Sequence, residues 1–83
     1  MPSQDAENFF QALAAEIQAA RKHIGLSQDH LATKSGVDRG SISRFERLER
    51  VPSILALYDM AEAVGVPLHR LVETAYKRHK GKK

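Results

Sequence analysis

The chain has 83 residues, enough for one small domain whose hydrophobic core is marginal on its own. It lacks cysteine, which excludes disulfide bonds and thiolate metal sites, and no apolar run is long enough to predict a membrane span. Thirteen Lys and Arg against ten acidic residues give a net charge of +3, but five of the cations lie in residues 77–83, so the rest of the chain is slightly acidic.

The first predicted element is a helix that starts near Ser3 or Asp5, after a frayed segment at residues 1–4. Gly25 ends it as a left-handed residue. Phe9 lies off the apolar side of this helix, where it either adds core cover or forms a dimer contact. The apolar side itself recurs at steps of three and four residues, at Phe10, Leu13, Ile17, Ala20 and Ile24.

Two short helical patterns then flank Gly36, where the chain must turn. Ser27 caps a helix over about 28–34, and Asp38 caps a second helix from residue 39 to about 47 or 48. The inward positions are apolar or small, namely Leu31, Ala32, Val37, Ile42 and Phe45. This spacing predicts a helix-turn-helix, a motif whose second helix enters the major groove of DNA.

Two further helices complete the prediction. Ser53, after Pro52, caps a fourth helix that Gly65 ends, and Pro67 starts a fifth. The fourth helix is expected to face the core with Ile54, Leu57, Tyr58, Ala61 and Val64, and the fifth with Leu68, Leu71, Val72 and Tyr76. Five helices without strand-like alternation predict a compact all-α bundle.

The domain is expected to span residues 5–77, followed by a basic, disordered tail at residues 78–83. Two roles are open for this tail. It either binds phosphates as a flexible arm or acts only as a solubilising end.

Several ordered segments carry a family resemblance. They are Gly25-Leu26-Ser27-Gln28, the framework from Leu31 to Phe45, Ile42-Ser43-Arg44-Phe45-Glu46-Arg47, Pro52-Ser53 and Ala61-Glu62-Ala63-Val64-Gly65-Val66. Over about residues 13–72 the chain resembles the Cro/repressor-type (XRE-like) helix-turn-helix family. The resemblance implies a five-helix, lambda-repressor-like fold and a transcriptional regulator that binds double-stranded DNA. The expected form is a dimeric repressor at a palindromic operator.

The third helix presents Arg39, Gly40, Ser43 and Arg44 outward, because Ile42 and Phe45 face inward. In the family the first, second and sixth residues of this helix contact bases, which implies such a role for Arg39, Gly40 and Arg44. Gly40 departs from the polar residue that is common there, so it cannot contact a base through a side chain. The alternative is that both arginines are ordinary solvated charges.

Phosphate contacts are expected around this helix. The resemblance assigns one to Gln28 at the start of the second helix, although it could equally be an ordinary polar residue of a first turn. Ser41 and Arg47 are further candidates, and Arg50 is a weaker one.

Two residues are expected to be structural. The resemblance pairs Glu46 with Arg21 in a partly buried ion pair. Leu48 stands where the family commonly has glycine in a left-handed turn, a conformation that a leucine resists by about 1–2 kcal/mol. The third helix is therefore expected to run longer, or the 48–52 loop to follow another path, and the phosphate contact of Arg50 depends on that path.

A homodimer contact is expected on the fifth helix and the turn before it, at Val66, Leu68, Val72 and Tyr76, since these apolar residues exceed the needs of one small core. The main functional alternative is an antitoxin or other protein-interaction module that binds a toxin through the N-terminal segment or the fifth helix and whose DNA binding is autoregulatory. A purely structural helical adaptor is a third option.

Other classes find no support in the sequence. The four histidines form no metal-ligand pair with a carboxylate cluster, and no nucleophile elbow, phosphate loop or paired carboxylates occur. No enzyme activity, metal or cofactor is expected. The N-terminus lacks the basic and apolar regions of a signal peptide, so a cytoplasmic location without membrane contact is expected.

Overall fold

The structure, a computed structural model, describes residues 2–81. Within these residues it contains five helices and no strand, which confirms the predicted all-α class. The helices are α1 (Gln4–His23), α2 (Gln28–Ser35), α3 (Arg39–Glu46), α4 (Ile54–Val64) and α5 (Leu68–Lys80). None of them is long and apolar enough to cross a membrane.

The helix starts follow the capping residues of the sequence. In each of the first four helices the side chain before the first turn accepts a hydrogen bond from a backbone N–H three residues further on, which satisfies a donor that has no partner inside the helix. These pairs are Ser3 with Ala6, Ser27 with His30, Asp38 with Ser41 and Ser53 with Ala56. Pro67 precedes α5, which has no side-chain cap.

The core joins all five helices. α1 packs along α5 and against α4, while α2 packs between α3 and α4. The largest side chains without solvent contact are Ile17, Leu31, Ile42, Phe45 and Met60. The α2–α3 unit is therefore carried on a scaffold made by α1, α4 and α5.

The inner face of α4 differs from the prediction. Ile54 and Tyr58 are exposed, and Met60 and Ala63 are buried in their place. The predicted core positions of Ile54 and Tyr58 were wrong because this helix is apolar nearly all the way round, so a three-and-four spacing fits more than one face. Ile24, the last residue of the predicted α1 stripe, is likewise exposed.

The end of α3 keeps a left-handed turn despite the missing glycine. Leu48 has a φ of 64°, and its N–H donates to the Phe45 carbonyl at 2.9 Å while that of Glu49 donates to the Arg44 carbonyl at 2.7 Å. This pair of backbone hydrogen bonds is the Schellman motif. The expectation that helix three runs longer or that the loop takes another path was therefore wrong, because two hydrogen bonds stabilise the turn against the strain of a leucine at this φ.

α5 extends further than the predicted domain. It continues to Lys80, and its last turn is tied to α1 by Arg78–Glu16 and Lys80–Asp5 ion pairs at 2.6 and 2.9 Å. Residues 78–80 are thus helical, while the predicted disorder of Lys82 and Lys83 lies outside the described residues.

Candidate nucleic-acid interface

The turn between α2 and α3 is built from two local features. Gly36 adopts a φ of 79°, which a side chain would disfavour, and its N–H donates to the Ala32 carbonyl. Asp38 then accepts from both the backbone N–H and the hydroxyl of Ser41, at 2.9 and 2.8 Å. These bonds, with the charge of Arg44, hold the pKa of Asp38 below its ordinary value, so the cap is ionised at neutral pH.

Glu46 anchors α3 from behind. Its carboxylate accepts from Arg21 Nε and Nη2 at 2.8 and 2.9 Å, and from Gln18 and Gln28 at 3.1 and 3.0 Å. Arg21 Nη1 also donates to the Leu26 carbonyl at 2.8 Å. One network thus joins α1, the α1–α2 turn, α2 and α3, and it fixes how α3 sits on the domain.

This ion pair is buried, as the resemblance implied. The side chains of Arg21 and Glu46 are only 8% and 3% exposed. Burial raises the pKa of Glu46, but the hydrogen bonds from Arg21, Gln28 and Gln18 and the charge of Arg21 outweigh it and hold that pKa below its ordinary value. The carboxylate is therefore charged and fully partnered at neutral pH.

Arg39 lies at the exposed start of α3. Its Nε is 3.0 Å from Asp29 Oδ1 in the first turn of α2. A guanidinium has five N–H donors, so a contact at Nε leaves Nη donors of Arg39 available for a bidentate contact with guanine. Asp29 thus orients the residue that was expected to contact the first base.

Gly40 and Arg44 lie against each other. A Cβ on Gly40 would stand 3.3 Å from Asp38 Oδ2 and 3.4 Å from Arg44 Nη2. The absence of a side chain therefore leaves room for the Arg44 guanidinium over the first turn of α3. A side chain at residue 40 would crowd both the Asp38 cap and the Arg44 guanidinium.

The polar residues at the start of α3 and just after its end have internal partners. Arg47 donates to Ser43 Oγ and pairs with Glu49 at 3.1 Å, and Ser41 is bound to the Asp38 cap. The Glu49 carboxylate raises the pKa of Arg47 by accepting its hydrogen bonds. These contacts hold the side chain of Ser41 at the N-terminal end of the expected DNA-facing surface and that of Arg47 at its C-terminal end.

Gln28 and Arg50 flank this surface. Gln28 Nε2 gives one hydrogen to Glu46, which leaves its second hydrogen for another acceptor. Arg50 is exposed and borders a cleft of about 350 Å³ that Ser41 also lines, between the starts of α3 and α4. The structure thus brings Ser41 and Arg50 to one cleft, whereas Gln28 lies at the Glu46 network.

The residues expected at a dimer contact differ in how far they are buried. Val66, Leu68 and Val72 are half-buried against the protein's own core, and Tyr76 is exposed. Phe9 also packs on the core and, with three of these residues, lines a cleft of about 730 Å³ between α1 and α5. Much of their apolar surface is therefore used within one copy of the chain.

Two residues of the site, Gln18 and Asp29, were not predicted from the sequence. Gln18 lies three residues before Arg21, so it shares a face of α1 and could have been found by that spacing. Asp29 looked like an ordinary acid in a first turn. Its contact with Arg39 depends on how α2 and α3 cross, for which the sequence carries no signal.

Comparisons with known proteins agree with this geometry. A family model described as "Helix-turn-helix" matches residues 17–71. The chain is 36% identical over 52 residues to the uncharacterized HTH-type transcriptional regulator y4dJ of Sinorhizobium fredii (strain NBRC 101917 / NGR234), a match that covers 63% of this chain and 68% of that protein. No solved structure matches significantly. The chain therefore belongs to the XRE-type helix-turn-helix family of DNA-binding transcriptional regulators.

Proposed function

We propose that this protein is a sequence-specific repressor that binds a palindromic operator as a homodimer and contacts bases through α3. The observation that carries the proposal is the contrast between the two sides of α3. Its inner side is held by the buried Arg21–Glu46 network, and its outer side bears exposed Arg39 and Arg44. A rigid helix with exposed guanidinium groups is suited to direct contacts with base edges.

The base contacts are assigned to the start of α3. Arg39, oriented through Nε by Asp29, would donate both Nη groups to guanine O6 and N7. Arg44, lying over Gly40, would contact a neighbouring base, and Gly40 would let the helix start approach closely. Ser43 completes this face. Each good arginine contact contributes about 1–3 kcal/mol of discrimination between bases.

The phosphate contacts are assigned to the flanks. Gln28, Ser41, Arg47 and Arg50 supply donors on both sides of α3. Such contacts set the position of the protein on the duplex without selecting a sequence. Two copies related by a two-fold axis would place their α3 helices about 34 Å apart, in successive major grooves of one DNA face. Occupancy of the operator would then exclude other proteins from it.

A selection from a random duplex pool tests this function. The wild-type protein should enrich a two-fold symmetric motif, and Arg39→Ala/Arg44→Ala should lose it. The matched control is Arg70→Ala/Lys77→Ala, which removes the same charge from α5, a helix that packs mainly on α1 and α4. Two cationic phosphate contacts per copy, from Arg47 and Arg50, make four per dimer and would give a slope of about −4 for log K against log salt. Weak, unselective binding that the α3 variant retains would refute the proposal.

One observation favours a second candidate, an antitoxin or other protein-interaction module. The cleft of about 730 Å³ between α1 and α5 is lined by Phe9, Leu68, Val72 and Tyr76. An apolar segment of a partner could occupy it. If so, the product of a neighbouring reading frame should bind the wild-type protein and not Val72→Glu, with DNA binding secondary.

A further inference from the structure

A polar cleft joins the end of α5 to the turn after α3. It has a volume of about 510 Å³, and α1 forms its third side. The last turn of α5 contributes Arg78 and His79, the turn after α3 contributes Leu48, and α1 contributes two alanines with the amide side chains of Asn8 and Gln11. The basic end of the chain thus lies beside the C-terminal end of α3.

The polar side chains of this cleft present hydrogen-bond donors. Asn8 Oδ1 accepts from Gln4 Nε2 at 2.9 Å, which leaves the Nδ2 hydrogens of Asn8 for another acceptor. Gln11 lies three residues further on, so its amide shares the same face of α1. Arg78 uses Nη1 to bind Glu16 at 2.6 Å, and the other N–H groups of its guanidinium remain available.

The acids around the cleft lie outside it. No acidic residue is among its lining residues within the described chain. Glu16 is 19% exposed and holds Arg78, which is 49% exposed, from the neighbouring cleft between α1 and the α4–α5 turn. Asp5, the partner of His79, lines the opposite cleft between α1 and α5. The cleft is therefore complementary in charge to an anion.

The position of the cleft favours one source of that anion. Leu48 directly follows Arg47, to which the proposed function assigns a phosphate contact. A DNA strand carries one phosphate per about 3.4 Å of helix axis, so a strand bound at Arg47 has further phosphates next to the cleft. The cleft thus continues the expected DNA-facing surface beyond the end of α3.

We propose that this cleft binds a backbone phosphate of the DNA that flanks the operator, with Arg78, Asn8 and Gln11 as donors. The guanidinium of arginine matches a phosphate group in charge and geometry, and side-chain amides also bind phosphate oxygens. The contact rests on the proposed function, because it assumes that α3 lies in the major groove. It gives the basic end of the chain a fixed role within a helix, rather than that of a flexible arm.

The length of the DNA tests the site. The operator duplex is compared with the same duplex extended by one helical turn, about 10 base pairs, at each end. Extension should steepen the slope of log K against log salt by about 1.8 for the wild type, from two added contacts per dimer. The slope of Arg78→Ala should not change with length. On the long duplex, the affinity advantage of the wild type over Arg78→Ala should therefore shrink roughly tenfold between 50 and 200 mM salt.

A wild-type slope that does not depend on DNA length would overturn the phosphate site. The enriched motif would still stand in that case, so the proposed function would be unaffected.

Three control variants separate this site from general charge effects. Lys77→Ala removes the same charge from the adjacent residue, which pairs with Glu73 and does not line the cleft, so it should behave as the wild type. Glu16→Gln breaks the ion pair of Arg78 but keeps its charge, and it should retain the length dependence. Lys82→Ala/Lys83→Ala should retain it too. Loss of the length dependence in either of the last two variants, but not in Arg78→Ala, would refute the assignment to Arg78.

A second measurement does not depend on sequence recognition. In NMR spectra of the wild type, the side-chain amide signals of Asn8 and Gln11 should shift when a duplex of unrelated sequence is added at low salt, and Arg78→Ala should abolish the shift. Unmoved signals would overturn the site. A shift with inorganic phosphate but not with the duplex would overturn DNA as the occupant. A shift with the duplex, together with a selection that enriches no motif, would support the cleft and refute the proposed function instead.

Discussion

Removal of Arg21 should destabilise the domain far more than removal of its neighbour Lys22. Arg21→Ala leaves the Glu46 carboxylate buried with only Gln18 and Gln28 as donors, and it also removes the donor to the Leu26 carbonyl. Breaking a buried ion pair on one side costs about 3–5 kcal/mol. Lys22 is exposed, so Lys22→Ala should change stability by less than about 0.5 kcal/mol.

The size of this effect determines the assay. A domain of 83 residues has a stability of roughly 4–12 kcal/mol, so Arg21→Ala could lose half of it or more. Each kcal/mol shifts the melting temperature by about 4–8 °C at this size. Urea titrations at low temperature, followed by circular dichroism, therefore suit all variants. Equal shifts for Arg21→Ala and Lys22→Ala would refute the buried-network argument.

A double-mutant cycle isolates the pair itself. Glu46→Gln removes the charge but keeps an acceptor for Gln18 and Gln28, and Arg21→Met keeps the length of the side chain without its charge. The double variant should lose less free energy of unfolding than the sum of the losses of the two single variants. The difference, which is the coupling energy, should be about 0.5–3 kcal/mol. Additive losses would mean that the two side chains act independently, which the bidentate geometry does not allow.

Three other predictions follow from single contacts. Because the pKa of Glu46 is lowered in the folded state, its contribution to stability is present at neutral pH and lost as the pH falls below about 4.5; the excess stability of the wild type over Glu46→Gln should shrink there in urea titrations. Leu48→Gly should be more stable than Leu48→Ala by about 1 kcal/mol, because both lose the apolar side chain and only glycine relieves the left-handed strain; the reverse order in melting curves would contradict the turn geometry. Asp29→Asn should bind random duplexes more tightly yet discriminate about three- to tenfold less at the base pair that Arg39 contacts, and unchanged discrimination would mean that Asp29 does not orient Arg39.

The sequence predicted local features of this fold well. Ser27, Asp38 and Ser53 cap helices as expected, and the glycines after α2 and α4 adopt the left-handed conformations that end those helices. These features depend on a few adjacent residues and on the backbone, so they can be inferred without knowledge of the packing.

Features that depend on packing were harder to predict. α4 could present more than one apolar face, and its contacts with α1, α2 and α5 selected the one that includes Met60 and Ala63. The predicted domain ended before the last turn of α5, because the run of basic residues there is typical of a solvated tail. In the structure Arg78 pairs with Glu16 and Lys80 with Asp5, two acids that are distant in the sequence. Long-range partners decided both cases.

The site combines a fixed helix with exchangeable side chains. The Glu46 network is buried and gives α3 one position, whereas Arg39 and Arg47 hold acids that are exposed to solvent. Exposed ion pairs contribute less than about 1 kcal/mol, so Arg39 can adjust its position beside Asp29 when it meets a base, and Arg47 can leave Glu49 for a phosphate, at small cost. The buried Glu46 network on the inner side of α3 and the weak ion pairs on its outer side therefore have complementary roles. The first limits where the arginines can reach, and the second lets them respond to the base pair they meet.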